Sequence, residues 1–234
     1  MHLLDSTTNR PGRNTRQLEA RRTNRALGLA AATVLLAVLA VALLLFSPIA
    51  VFLAAPLLFL SIFIGNRLNQ QSLLVYNARR GAQAEEQVGR ALEENFPDWR
   101  IYHNLLLPDL GDMDHLAVGP GGVVLVETKS QRGTLVISRG RLGFRQPLGT
   151  RWSGKDLVNQ VRKLSDLLKQ KQLPVTSWLC FPFAQVKPLK VRGVHLVDLE
   201  GLITSIRALP LILTPEQVED ACLVIQDLQG MRML

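Results

Sequence analysis

Apolar residues follow two regimes along this chain, one unbroken and one periodic. Between Arg25 and Arg67 no charged residue occurs, and residues 26–46 consist of Ala, Leu, Val, Gly, one Thr and a closing Phe46. As a helix that run reaches about 31 Å at ~1.5 Å per residue, enough to cross a ~30 Å hydrocarbon core. A second run, residues 49–65, sits at the short end of the spanning range. Ser47-Pro48 separates the two, and proline suits the first turn of a new helix. Pro56 lies inside the second run, where a kink is tolerated in a helix bundle. The pattern predicts a transmembrane hairpin of 26–46 and 49–65. A basic tail, 1–25, precedes it and is expected to be disordered; a juxtamembrane linker, 66–80, follows. A cleaved signal peptide is excluded, because its apolar region is much shorter.

Beyond residue 80 the pattern becomes periodic. Ala84, Val88, Leu92 and Phe96 recur every four residues, one face of a helix over 81–96 that Pro97-Asp98 stops. Strands are predicted at 100–107, 113–118 and 123–129, with a loop over 108–112 and a Gly-rich turn at 119–122. The third strand, Val-Val-Leu-Val before its charged end, is apolar on both faces and so reads as central and buried. A hairpin around Arg139-Gly140 joins 134–137 to 141–145. Then come a helix over 155–171, strands at 175–183 and 194–197, and a closing helix over 215–229 with Thr214 as its N-cap. The order is that of an α/β domain with a mixed sheet.

Charge sharpens this division. The chain of 234 residues carries a net +8, which invites a nucleic-acid reading, but nine Arg against Asp5 and Glu19 place +7 of it in residues 1–80. Those arginines flank the apolar runs, and by the positive-inside rule they put both ends of the hairpin in the cytoplasm, in the inner membrane of a cell. Within the remainder, residues 81–127 carry −7, residues 128–192 carry +12 and residues 193–234 carry −4. An apolar share of 47% excludes a disordered chain, and two cysteines exclude a disulfide scaffold. Cys180 and Cys222, far apart and without histidines at metal-ligand spacing, read as buried thiols.

The candidate chemistry sits where the acidic stretch meets the basic one. On a strand Glu127 and Lys129 point the same way, about 6.6 Å apart. A charged pair at the end of a buried strand needs partners. If the second and third strands pair through the Gly-rich turn, Asp114 comes to lie beside Glu127. Two carboxylates and a backbone carbonyl make a hard oxygen site suited to Mg²⁺ or Mn²⁺, and a neighbouring Lys can orient water at a phosphate. The plainer alternative is a solvated strand end with a cross-strand ion pair.

Three short motifs, Gly81-Ala82-Gln83-Ala84-Glu85, Gly111-Asp112-Met113-Asp114-His115 and Glu127-Thr128-Lys129-Ser130, resemble the nuclease-related domain family called NERD, within the PD-(D/E)xK nuclease superfamily. The resemblance covers roughly residues 78–185. It implies a PD-(D/E)xK-like α/β fold, a mixed sheet flanked by helices, here preceded by two transmembrane helices. It implies that Asp114 and Glu127 bind the metal with Glu85 contributing, that Lys129 is catalytic, and that Gln160 contacts substrate or the lysine. Two departures stand out: Ala84 replaces the family's second Gly, and Asp156-Leu157 replaces Asn-Pro ahead of Gln160. Glu85 shares its helix side with Val88 and Leu92, whereas Glu86 is expected to turn away.

The basic stretch supplies candidate nucleic-acid contacts: Arg139, Arg141, Arg145, Arg151, Lys155, Arg162 and Lys163. Positive flanks of this kind are what a polyanion approaching a carboxylate–metal site requires; anionic lipid is the other partner such a face suits. The leading expectation is a membrane-anchored nuclease that hydrolyses phosphodiester bonds of nucleic acid, DNA before RNA, with Mg²⁺ or Mn²⁺. The alternatives are an inactive nucleic-acid-binding or regulatory module on a nuclease fold, and a membrane-bound scaffold.

Overall fold

A computed structural model describes residues 10–46, 51–107 and 111–230. The described chain forms two units: Asn14–Arg80, and Gly81 onward together with the short stretch before Asn14. The first unit is helical. Helix α1 runs Arg13–Phe46, and helix α2, Val51–Asn95, contributes residues 51–80 to this unit and 81–95 to the other. Both are long and apolar enough to cross a membrane, with mean hydropathies of 2.7 and 1.4 over their most apolar windows. Small residues make their contact: Ala40 and Ala54 are fully buried, and the Ser61 hydroxyl donates to the Thr33 carbonyl at 3.2 Å. Small side chains and hydroxyls are what let two such helices approach closely.

One expectation changes here. Residues 13–25 are helix, not a disordered tail, while the expected juxtamembrane linker, 66–80, is a continuous part of α2. The polar flanks are rich in Arg and Leu, which propagate a helix once the apolar run has nucleated it. Arg16 pairs with Glu19 at 2.8 Å, and the Thr23 hydroxyl bonds back to the Glu19 carbonyl. The Ser47-Pro48 connection and residues 108–110 of the expected loop lie outside the described residues.

The second unit is built on a six-stranded mixed sheet of order β1-β2-β3-β7-β10-β9. Strands β1 (Arg100–Leu107), β2 (Gly111–Gly119) and β3 (Gly122–Thr128) form an antiparallel meander. β3 pairs in parallel with β7 (Val175–Cys180), and β7 with β10 (Val194–Val197); the short β9 (Leu189–Val191) closes the edge. Every residue of β3 is buried, as its unbroken apolar run requires. Val124 and Val126 face Val88 and Leu92 of α2, Phe96 just after it, and Leu202 and Ile206 of α4 (Leu199–Arg207). Val123 and Leu125 face the opposite layer, made by α3 (Leu157–Gln170) and α5 (Pro215–Gly230).

Between β3 and α3 the chain makes β4 (Gly133–Ser138), β5 (Arg141–Gln146) and β6 (Gly149–Trp152), which with the later two-residue β8 (Ala184–Gln185) form a second, smaller sheet of order β6-β5-β4-β8. Leu142 and Phe144 of β5 turn into the core, where Phe144 packs on Phe181 with ring centroids 5.1 Å apart. The β4–β5 turn is the expected Arg139-Gly140, both residues with positive φ, as a two-residue hairpin turn demands.

Near the start of the described chain, the Arg10 carbonyl accepts a 2.7 Å hydrogen bond from Asn104 Nδ2. Pro11 lies against Gly89, where a Cβ would come within 2.5 Å of the proline ring. This short stretch is thus fastened to the α/β unit.

Candidate active site

The two ladders determine what meets at the carboxyl end of β3. In the β2–β3 pairing His115 stands opposite Val126, so one step further Asp114 stands opposite Glu127. The backbone N–H of Thr128 donates to Asp114 Oδ2 at 2.7 Å and fastens the carboxylate to the neighbouring strand. On the other side, Lys129 N–H donates to the Cys180 carbonyl of β7 at 2.9 Å, holding the residue after the strand in the parallel register. The Lys129 ammonium then reaches back to Glu127 Oε1 at 2.5 Å. Asp114, Glu127 and Lys129 are therefore gathered at one strand end, the place where α/β sheets bind ligands.

The electrostatics of this cluster are lopsided. Asp114 and Glu127 are both buried. Burial first, and then the Glu127 carboxylate, push the Asp114 carboxyl well above its ordinary range; Glu85 adds to the shift, and the Thr128 N–H and Lys129 oppose it. Burial works against the Lys129 ammonium, but Glu127 and Asp114, with a smaller part from Glu85, outweigh it and hold its pKa above the usual value. Lys129 is accordingly a cation at neutral pH, a donor and not a base. One ammonium faces two buried carboxylates and the field of a third.

Glu85 thus acts on the site through its charge. It is half-buried on α2, and its partner in the sequence, Glu86, approaches Gly12 instead. Among the described residues no three His, Cys, Asp or Glu side chains form a group that could hold a metal; at this strand end the carboxylates that stand opposite each other are Asp114 and Glu127. That pair has one feature suited to a cation. Glu127 Oε2 is buried without a hydrogen-bond partner, while Oε1 is taken by Lys129. A buried carboxylate oxygen lacking a donor is costly, and a hard divalent cation is the group that such an oxygen fits.

Gln160 lies on the exposed side of the first turn of α3, its backbone N–H bonded to the Asp156 carbonyl. Asp156 caps that helix: its Oδ1 accepts from Asn159 N–H at 3.1 Å, and its other oxygen pairs with Arg192 at 2.9 Å. Asn and Asp cap helices about equally well, so the exchange of Asn-Pro for Asp-Leu preserves the start of the helix. Arg139, Arg141, Arg145, Arg151 and Lys155 are exposed on and just after the small sheet, and Arg162 and Lys163 on α3.

Residues 80–182 match the family model described as the nuclease-related domain, NERD. That span is similar to a nuclease-related domain. No curated protein and no solved structure matches the chain. The matched span begins within α2 and ends just past β7, so it encloses the carboxylates, the lysine and strands β4, β5 and β6 of the small sheet.

Two features behind the site were not read from sequence. One is the Thr128 N–H, which follows from the register once strand pairing is known. The other is a histidine pair: His103 and His115 face each other across β1–β2 with Nδ1···Nδ1 at 2.8 Å, and His103 Nε2 meets Glu93 Oε1 at 3.0 Å. The geometry assigns the protons. His103 donates through Nε2 to Glu93, so its Nδ1 accepts from His115 Nδ1–H, and His115 Nε2 is left as a buried acceptor without a partner. Burial lowers the pKa of both rings, despite the opposing pull of Glu93 on His103.

Proposed function

We propose that this protein is a membrane-anchored nuclease that hydrolyses phosphodiester bonds of DNA with a divalent metal. The observation that carries the reading is the cluster of Asp114, Glu127 and Lys129, with its partnerless Glu127 Oε2, inside a nuclease-related domain. Asp114 and Glu127 would hold Mg²⁺ or Mn²⁺, with Glu85 adding negative charge. Bound there, such an ion supplies Lewis-acid stabilisation of phosphoryl charge and lowers the pKa of water. The Lys129 ammonium, already held beside Glu127, donates to a phosphate oxygen or orients the attacking water. The two long apolar helices anchor the chain, and the Arg-rich flanks put both ends in the cytoplasm.

A second reading, a module that binds nucleic acid without cutting it, draws support from one observation: no third carboxylate stands at ligating distance among the described residues. One experiment separates the two. The full chain in detergent is incubated with DNA and RNA and Mg²⁺ or Mn²⁺, beside Glu127→Ala and Lys129→Ala. The nuclease reading expects metal-dependent cleavage by the wild type and a loss of about a hundredfold or more in each variant. Equal activity in all three, or none with either metal, overturns it; salt-sensitive binding without cleavage establishes the second reading.

A further inference from the structure

The outer face of the small sheet carries an arrangement that the carboxylate cluster does not use. The β5–β6 register places Trp152 directly opposite Gly143, and Thr150 opposite Arg145. Residues opposite each other in a ladder share a face, and so do alternate residues of one strand. Arg141, Gly143 and Arg145 of β5 therefore line the same face as Trp152, and this face is opposite to the one on which Leu142 and Phe144 enter the core. The six-membered ring of Trp152 covers Gly143: a Cβ at that position would lie 2.6 Å from the Trp152 Cε3 atom. Glycine is what allows the indole to lie over the strand.

Trp152 is 41% exposed, whereas Trp178 is buried and Trp99 is half-buried, so it is the one exposed tryptophan among the described residues. Arg141 and Arg145, both exposed, stand on either side of Gly143, four residues and about 13 Å apart. β4 joins this platform to the site, since Gly133 follows Lys129 by only four residues, at most about 14 Å. Leu148, fully exposed at the β5–β6 turn, is the feature that would suit a lipid surface. Trp152 stands in the sheet between two arginines, not at that tip.

The geometry points to a stacking platform for an unpaired base: Trp152 takes the π-face, Arg141 and Arg145 take the flanking phosphates, and the ligand is a nucleic acid with a single-stranded stretch. A paired base in a duplex offers no face to such a ring, whereas aromatic–base stacking is the common means of holding single strands. The proposal deepens the nuclease reading and rests on it for the orientation of the strand toward Lys129.

The test uses the full chain in detergent with a chelator present, so that nothing is cut. Fluorescein-labelled oligothymidylate, the matching duplex, and vesicles of phosphatidylserine in phosphatidylcholine are titrated against wild type, Trp152→Ala, Trp152→Phe and Gly143→Ala. Expected is quenching of tryptophan emission by the single strand, lost in Trp152→Phe. Single-strand affinity should fall about tenfold in Trp152→Ala and much less in Trp152→Phe, with duplex affinity little changed. Gly143→Ala, which leaves the tryptophan in place but lifts its ring, should weaken single-strand binding too. Unchanged single-strand affinity in Trp152→Ala, an equal loss on duplex, or an emission change with vesicles alone would each overturn the proposal. Cleavage of DNA with Mn²⁺, assayed separately, distinguishes the two readings. A wild type that cuts while Trp152→Ala binds the single strand as well as wild type loses the platform and keeps the nuclease. A wild type that binds through Trp152 and cuts nothing keeps the platform and loses the nuclease. No binding of nucleic acid at all overturns both.

Discussion

The Asp114 carboxylate is tied to the backbone of Thr128 by a 2.7 Å hydrogen bond from one strand to the next. This places a group proposed for metal binding under structural duty as well. Asp114→Ala would leave the buried Thr128 N–H without a partner, at a cost of about 1–3 kcal/mol. Asp114→Asn keeps an acceptor and removes the repulsion with Glu127, so without metal it should be at least as stable as the wild type. Thermal unfolding with a chelator present, followed by the buried Trp178, checks both; an alanine variant as stable as the asparagine one would refute this role.

Metal binding should appear as stability, independently of any cleavage. A ligand that binds only the folded state at a hundred times its Kd adds about 2.7 kcal/mol. Mn²⁺ should raise the unfolding midpoint of the wild type and leave Glu127→Ala unmoved, since the orphaned Oε2 is then gone. Equal shifts in the two proteins would place the metal elsewhere.

The histidine pair predicts an acid limb. Burial holds His103 and His115 below the ordinary value of 6.5 in the folded chain, so as pH falls below that value the unfolded chain takes up protons first. Their neutral state is accordingly free of penalty above pH 6.5, and stability is lost on acidification, by up to about 1.4 kcal/mol per pH unit for each ring. A His103→Leu/His115→Leu variant should show a flatter dependence between pH 6.5 and 5. An unchanged slope would assign the acid limb to other groups.

The cap of α3 gives a surface test. Asp156→Ala should cost about 1 kcal/mol, while Asp156→Asn should remain near the wild type. Asp156→Asn combined with Leu157→Pro, which restores the family dipeptide, should be tolerated if position 157 is a true first turn, where proline is favoured. Leu157 is buried, so a loss confined to the proline variant would show that packing outweighs backbone preference there.

Much of the domain was legible because the informative segments obey one local rule each. β1 and β10 occupy the expected residues, β3 is as buried as its valines imply, and Arg139-Gly140 makes its turn. Thr214 and Gln217 cap α5 reciprocally, by hydrogen bonds of 2.9 and 3.3 Å. What escaped was short or set by distant partners. β6, β8 and β9 span two to four residues and exist through their ladders, too short for any alternation to register. α4 had a signal, the cap Asp198 before Leu199, Leu202, Ile203 and Ile206, but it holds a Gly and three β-branched residues that weaken its helical pattern. At the site, Asp114, Glu127 and Lys129 could be brought together from the pairing of two strands. The distance of Glu85 could not, since it depends on how α2 lies across the sheet.

The small sheet leaves the main one after Thr128 and the chain returns through α3 to β7, the parallel neighbour of β3. The whole of β4, β5 and β6 is therefore an excursion within one crossover connection. Its surface can vary in length, charge and aromatic content while the ladders that align Asp114 with Glu127 remain intact. A lineage built on this plan could change what it grips without relearning how to hold its carboxylates.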